Sequence, residues 1–293
     1  MSQNTEDALS QSLAKISANY PSSSDRKSHN PQPIAKEPIA KAAKEKVTEH
    51  IADDQVTFQN QIFYDLQWSH QSKQELQLVD CEFHHCDFSN AALDFMQASG
   101  CIFHDCNFKN SGLKEAVFKK CSFFDNDEQK GCYFYGADLV NSQFLNCDLS
   151  LAEFERADMF GIEISNSKAQ GCSFKQANFS SVVSRRKLFC SAHLTDSHFR
   201  YADFEGCQLV ACDLSGSSFV NANFFQSNLE KCQLLNADLT GIQFEGLLLA
   251  GADLRNAQLD GLDIRKVDLQ GVKISDWQQS VLLESLGVIC FPN

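Results

Sequence analysis

From Phe134 onward a large apolar residue recurs at every fifth position: Phe134, Leu139, Phe144, Leu149, Phe154, Met159, Ile164, Ala169, Phe174, Phe179, Ser184, Phe189 and Leu194. The series continues through Phe199, Phe204, Leu209, Leu214, Phe219, Phe224, Leu229, Leu234, Leu239, Phe244, Leu249, Leu254, Leu259, Ile264, Leu269 and Ile274. Of its 29 members, 27 are Phe, Leu, Ile or Met, so the period is no accident of composition. An earlier stretch in another phase runs Leu78, Phe83, Phe88, Leu93, Ala98, Phe103, Phe108, Leu113, Phe118, Phe123. Neither a helix with 3.6 residues per turn nor a strand with alternating faces keeps every fifth residue on one side for so long.

With the large residue numbered i, position i−2 is small, as in Ala137, Ala157, Ala177, Ala202 and Ala252, and position i−1 favours Asp or Asn, as in Asp138, Asp158, Asn178, Asp203 and Asp253. A four-sided coil satisfies all of this. Each pentapeptide makes one side, i and i−2 point inward, and residues twenty apart stack. Small residues at i−2 leave room for the rings at i, while short Asp and Asn side chains bond backbone groups near the corners. About ten coils at the ~4.8 Å inter-strand spacing predict a rod of roughly 48 Å. Such coils bury their ladder only against neighbours, so the ends need caps.

Units such as Ala137-Asp138-Leu139, Ala177-Asn178-Phe179, Ala202-Asp203-Phe204 and Ala252-Asp253-Leu254 resemble the pentapeptide-repeat proteins, over about residues 76–276. The resemblance implies an all-β fold, a right-handed quadrilateral β-helix. Residues 56–68 are expected to form an imperfect first coil, in phase through Phe58, Phe63 and Trp68. Lys73 at the next inward position predicts an irregular excursion over 69–75. At the other end, Ser275 or Asp276 is placed to cap a helix reaching Leu286, with Gly287 closing it. Trp277, Val281, Leu282, Leu286, Ile289 and Phe291 give this element more apolar surface than one capped coil needs, which predicts a two-fold dimer. The domain reading is a tail over 1–52, the repeat solenoid over 53–276, and a capping and dimerisation element over 277–293.

The repeat fails twice. Phe123 and Phe134 are eleven residues apart rather than ten, so one extra residue makes Asp125, Asn126, Asp127, Glu128, Gln129, Lys130 and Gly131 bulge as a first loop. A second loop keeps phase but loses the pattern: Ser180, Ser181, Val182, Val183, Ser184, Arg185, Arg186, Lys187, Leu188, Phe189, Cys190 and Ser191. Taken alone, the first is open to reading as a tolerated insertion at a corner and the second as a solvated charge run. Their order and spacing, with Gln129-Lys130-Gly131-Cys132, Gly161-Ile162-Glu163-Ile164, Phe189-Cys190-Ser191-Ala192 and Asp263-Ile264-Arg265, are similar to the quinolone-resistance (Qnr) type of pentapeptide-repeat protein over about residues 80–290. That resemblance implies a non-enzymatic protein that dimerises through its carboxyl-terminal ends and protects DNA gyrase and topoisomerase IV from quinolones, with DNA mimicry as one idea of how. It also implies that the two loops face the topoisomerase. The long amino-terminal extension, the coils before Phe103 and the Arg185-Arg186-Lys187 cluster depart from the type. A generic repeat scaffold or adaptor is the alternative.

Composition sharpens this picture. Against 25 Lys+Arg the chain carries 38 Asp+Glu, a net charge of −13, which argues against direct binding of nucleic acid. Residues 1–52 hold four of the five prolines, no Phe and no Cys, and are expected to be a disordered or weakly helical tail. Seven cations against six acids leave that tail at +1, so the remaining chain carries −14. Many Asp serve turn geometry at i−1, yet a strongly negative rod suits a groove lined with Lys and Arg. No apolar run is long enough to span a bilayer and no secretory leader is read at Met1, so a cytoplasmic protein is expected. Eleven of the 13 cysteines fall at i−2 and read as small core residues in a reducing compartment. The cluster Cys81, His84, His85, Cys86, Cys101, His104, Cys106 suggests a metal, but inward cysteines and outward His84 and His104 cannot converge on one ion. No metal or cofactor is expected, and no catalytic set is recognised.

Overall fold

The chain divides into two units, Met1–Glu45 and Lys46–Asn293. The structure, a computed structural model, describes residues 57–184 and 187–291, all in the second unit. The expected tail over 1–52, Val56, Arg185 and Arg186 lie outside the described residues.

The second unit is a four-sided β-solenoid closed by one short helix. Its sides are strands of about three residues, such as Thr57–Gln59, Gln77–Val79 and Gln97–Ser99, paired in parallel with the side twenty residues on. The ladder runs Thr57, Gln77, Gln97, Val117, Gln143, Glu163, His193, Asp213, Gln233, Asp253, Lys273. Two steps are not twenty: Val117 pairs with Gln143 and Glu163 with His193. The two insertions therefore amount to six and ten residues and are expelled from otherwise regular coils.

Inward residues form four columns. One is nearly all aromatic, from Trp68 through Phe88, Phe108, Phe134, Phe154, Phe174, Phe204 and Phe224. Successive Phe rings in it stack at 4.7–5.2 Å within 10° of parallel, across both insertions. Rings on adjoining sides meet edge to face, as Phe103 and Phe108 do at 5.5 Å. Each such pair contributes about 0.5–1.5 kcal/mol beyond its burial, so a Phe-rich period gives one unbroken core. The i−2 residues fill the corners between columns, and where Ser replaces Ala or Cys its hydroxyl is used. Ser167, Ser197 and Ser217 accept at Oγ from the amides of Cys147, Ser167 and Ser197, at 2.9–3.0 Å. At i−1, Asp and Asn accept from the amide two residues on, as Asp87 does from Ser89 (3.0 Å) and Asn228 from Glu230 (2.9 Å). Rounding most corners also puts residue i+2 in the left-handed region, most often Asn, Asp or Gly but also Phe95, Leu151 and Tyr201.

Three expectations are corrected. Residues 69–75 form a regular side: Ser72 pairs with Ala92, the amide of Lys73 donates to the Ala92 carbonyl at 2.8 Å, and Lys73 itself is buried. Backbone pairing with the next coil is indifferent to the side chain, and a lysine stem fills a column as an apolar residue would. The first insertion is six residues, because Phe134 occupies the side directly after Phe123; an eleven-residue gap is one side plus six, not two sides plus one. Phe189 is no core residue either but 50% exposed, and Leu194 takes the slot after Phe179. A ten-residue insertion conserves a five-residue phase and so hides inside it.

Candidate partner-binding loops and the carboxyl-terminal surface

The first loop is a hairpin in which Phe124–Asp125 pairs antiparallel with Lys130–Gly131. The amide of Cys132 donates to the Phe123 carbonyl at 3.0 Å, the same corner bond that elsewhere joins residues three apart, so the hairpin leaves the corner intact. Asp125 does not project. It is buried, its Oδ1 accepts from the amides of Asp127 (2.8 Å) and Glu128 (3.1 Å), and His104 Nδ1 lies 3.4 Å from its Oδ2. The Glu128 amide first, then that of Asp127 and the His104 ring, hold its carboxyl below the usual carboxylate range against the opposing effect of burial. Gly131 is buried too, and a Cβ there would run into the backbone of Leu151 and Ala152 in the next coil. The exposed part is Asn126, Asp127, Glu128, Gln129 and Lys130. Gln129 Nε2 donates to the Asn126 carbonyl at 2.7 Å, while Lys130 Nζ lies 2.7 Å from Glu128 and 3.6 Å from Asp105.

The second loop is also a hairpin, Ser180–Ser184 against Lys187–Cys190, with an irregular register between Val182 and Ser184. Phe189 rests edge-on against Phe160 at 6.1 Å, and Cys190 is buried. The hairpin's base is gripped by Asn178, which sequence reasoning took only as a turn residue. Its Oδ1 accepts from the Ser180 amide (3.1 Å) and hydroxyl (2.7 Å), and its Nδ2 donates to the Ser180 carbonyl (3.0 Å) and to Asp158 (3.2 Å).

The first loop leaves the solenoid between the Phe123 and Phe134 columns, the second between the Phe179 and Leu194 columns. Two sides of the coil separate them in either direction, so they stand at diagonally opposite corners and do not form one patch. Between them carboxylates stack coil over coil. Asp138 pairs with Asp158, and burial followed by the nearby Asp138 pushes the Asp158 carboxyl up; burial, then Glu155, does the same to Glu153. Two cations on this surface are ion-paired, Lys114 with Asp138 at 3.0 Å and Lys175 with Glu205 at 2.7 Å.

At the far end the helix is Gln278–Glu284, shorter than expected; the residue ahead of it is Trp277, without a side-chain cap, and Gly287 turns the chain with φ +77°. The helix is held by Gln278, which sequence reasoning missed. Its buried amide donates to the carbonyls of Leu254 (2.9 Å) and Ala257 (2.8 Å) and accepts from the amides of Ser275 (2.7 Å) and Asn256 (3.3 Å). Acceptance from Ser275, three residues before, is half of a capping box, the one cue in the sequence. Leu282 is buried within its own chain, so it caps the last coil and is not part of the exposed surface. Trp277, Leu286, Ile289 and Phe291 are exposed, the last two at 77% and 84%, and Val281 is half-buried.

A family model for pentapeptide repeats in eight copies matches residues 77–123 and 130–164, and one for a pentapeptide repeat region matches 184–278. The chain belongs to the pentapeptide-repeat family, as the four-sided solenoid requires. Within it, the chain is of the Qnr type. It is 36% identical over 139 residues to "Quinolone resistance pentapeptide repeat protein QnrB96" of Scandinavium goeteborgense, covering 47% of this chain and 56% of that one. To "Pentapeptide repeat protein QnrB4" of Escherichia coli it is 42% identical over 94 residues, covering 32% and 44%. The chain thus spans about half the length of these curated relatives. The solved structure of full-length QnrB1, described as a plasmid-mediated fluoroquinolone resistance protein, superposes with a TM-score of 0.64 at 30% identity, over 78% of this chain and all of that one.

Proposed function

We propose that this chain is a non-enzymatic quinolone-resistance protein that binds DNA gyrase and topoisomerase IV and protects them from the drug. The observation that carries the reading is the pair of hairpins expelled from an otherwise unbroken acidic solenoid of Qnr type. The core does not need either to continue, since the Phe column stacks straight past both insertions. Residues 126–130 offer a mixed polar tip, and stacked carboxylates such as Asp138 and Asp158 suit a groove lined with Lys and Arg. Placement at opposite corners means that a partner must wrap the rod, or meet each loop with a different element.

The second copy of this chain is the other partner. Trp277, Leu286, Ile289 and Phe291 cluster at one end, where a two-fold axis doubles every favourable contact. A cytoplasmic setting fits thirteen free cysteines; among the described residues no helix is long and apolar enough to cross a membrane.

The decisive experiment removes residues 125–130. This joins Phe124 to Gly131, which already pair across the hairpin, and restores five-residue spacing from Phe123 to Phe134. The variant should fold with an unchanged β-solenoid circular dichroism spectrum. In a gyrase supercoiling assay with a fluoroquinolone it should lose protection. Full protection by the loopless rod would leave surface charge as the active feature, and no protection by the parent chain would leave a repeat scaffold.

A further inference from the structure

Beside the first loop, on the outer face of neighbouring coils, Glu82, His84 and His104 bring one ligand atom each to within 4.8 Å of one another. Their placement follows from the repeat. His84 and His104 pair directly in the parallel ladder, so their rings stack at 4.5 Å and 10°, with Tyr64 stacked on the far side of His84 at 4.6 Å. Glu82 precedes His84 by two residues and leans over the same face. Its Oε1 meets His84 Nε2 and lies 3.8 Å from His104 Nε2. The other nitrogen of His104, Nδ1, is 3.4 Å from the Asp125 carboxylate. A carboxylate behind a ligating imidazole is the usual orienting partner in metal sites: it fixes the proton on Nδ1 and turns the Nε2 lone pair forward.

We infer that Glu82, His84 and His104 form a binding site for a divalent transition-metal ion of the Zn²⁺ class, with Asp125 as the positioning residue behind His104. Two imidazoles and one carboxylate are the donor set of an open three-ligand zinc site, leaving a fourth position to water. Bonds of about 2.0–2.2 Å in a tetrahedral site hold ligand atoms about 3.4 Å apart, so an ion would replace the direct Glu82–His84 contact by letting those two atoms part, draw His104 Nε2 in from 3.8 Å and tip the two stacked rings toward a common point. All three side chains are partly exposed. The buried cysteines nearby point into the core, as the five-residue register requires, and do not contribute. Because Asp125 also holds the amides of Asp127 and Glu128, an ion here ties the first loop to the body of the rod. The site stands on geometry alone and is independent of the topoisomerase reading.

The test is calorimetric titration of Zn²⁺ alone into the full, chelator-stripped chain, repeated with Co²⁺ and visible absorption. One saturable site per chain is expected, with a cobalt spectrum free of thiolate charge transfer. His84→Ala and His104→Ala should abolish it, as should the isosteric Glu82→Gln, whose fold is not in question. Asp125→Asn should weaken it about 10- to 100-fold. Absence of saturable binding, a thiolate band, or a site that persists in the double His84→Ala/His104→Ala chain would each overturn the assignment.

Discussion

Truncating Gln278 to Ala tests how the open end of the solenoid is sealed. The side chain makes four hydrogen bonds, but their loss is not equally costly. The Leu254 carbonyl keeps the Ala257 amide, and the Asn256 amide keeps the Ser275 hydroxyl at 3.2 Å. Left without a partner are the Ala257 carbonyl and the Ser275 amide. At about 1–3 kcal/mol for each orphaned buried group, the expected cost is about 2–6 kcal/mol, with the lower half favoured because water can reach the end of the rod. In a repeat protein this cost falls first on the terminal coil. The assay is native-state hydrogen exchange of the amides of Leu254 and Lys273, which pair across the last two coils, against that of Phe154 in the middle. The terminal amides should lose at least about thirtyfold in protection, since 1.4 kcal/mol is tenfold, while Phe154 stays as in the parent. Gln278→Glu should be no better than Ala at neutral pH, for it turns a carboxylate toward two carbonyls. Parent-like exchange in both variants would refute the view that this amide fastens the cap.

Other outcomes follow from single contacts. Gly131→Ala should destabilise the chain by about 1–3 kcal/mol in thermal melts, because its Cβ meets fixed backbone at Leu151 and Ala152, whereas Asn126→Ala in the same loop should be neutral. Thiol titration of the native protein at pH 8 should count one fast-reacting cysteine, the exposed Cys290; burial pushes the Cys207 and Cys212 thiols up to about 12, and a second fast thiol would contradict the core packing. Asp125 has a lowered native pKa, so its stabilisation of the first loop is present above the unfolded value of about 4 and is lost as pH falls through the native one. Exchange of the Asp127 and Glu128 amides, corrected for intrinsic rate, should rise on that acid limb and not between pH 6 and 8. At the carboxyl-terminal end, Phe291→Asp should yield monomers in sedimentation; an unaltered dimer would move the interface elsewhere.

The five-residue period by itself determined the columns of Phe and Leu, the inward cysteines, the Asp and Asn turns and the solenoid, because each is a local rule repeated at a fixed interval and stacking only multiplies it. It also marked where two loops leave the coil. It could not size them: an insertion of ten preserves the phase, and one of six mimics a slip of one. Only the parallel register, in which Val117 meets Gln143 and Glu163 meets His193, decided that. The tertiary structure likewise decided that Asp125 and Gly131 anchor the first loop rather than project from it, that Leu282 seals its own coil, and that the two loops stand at opposite corners. The convergence of Glu82, His84 and His104 belongs with these. Each depends on which residues stack twenty, twenty-six or thirty apart, a relation between coils that no window along the chain contains.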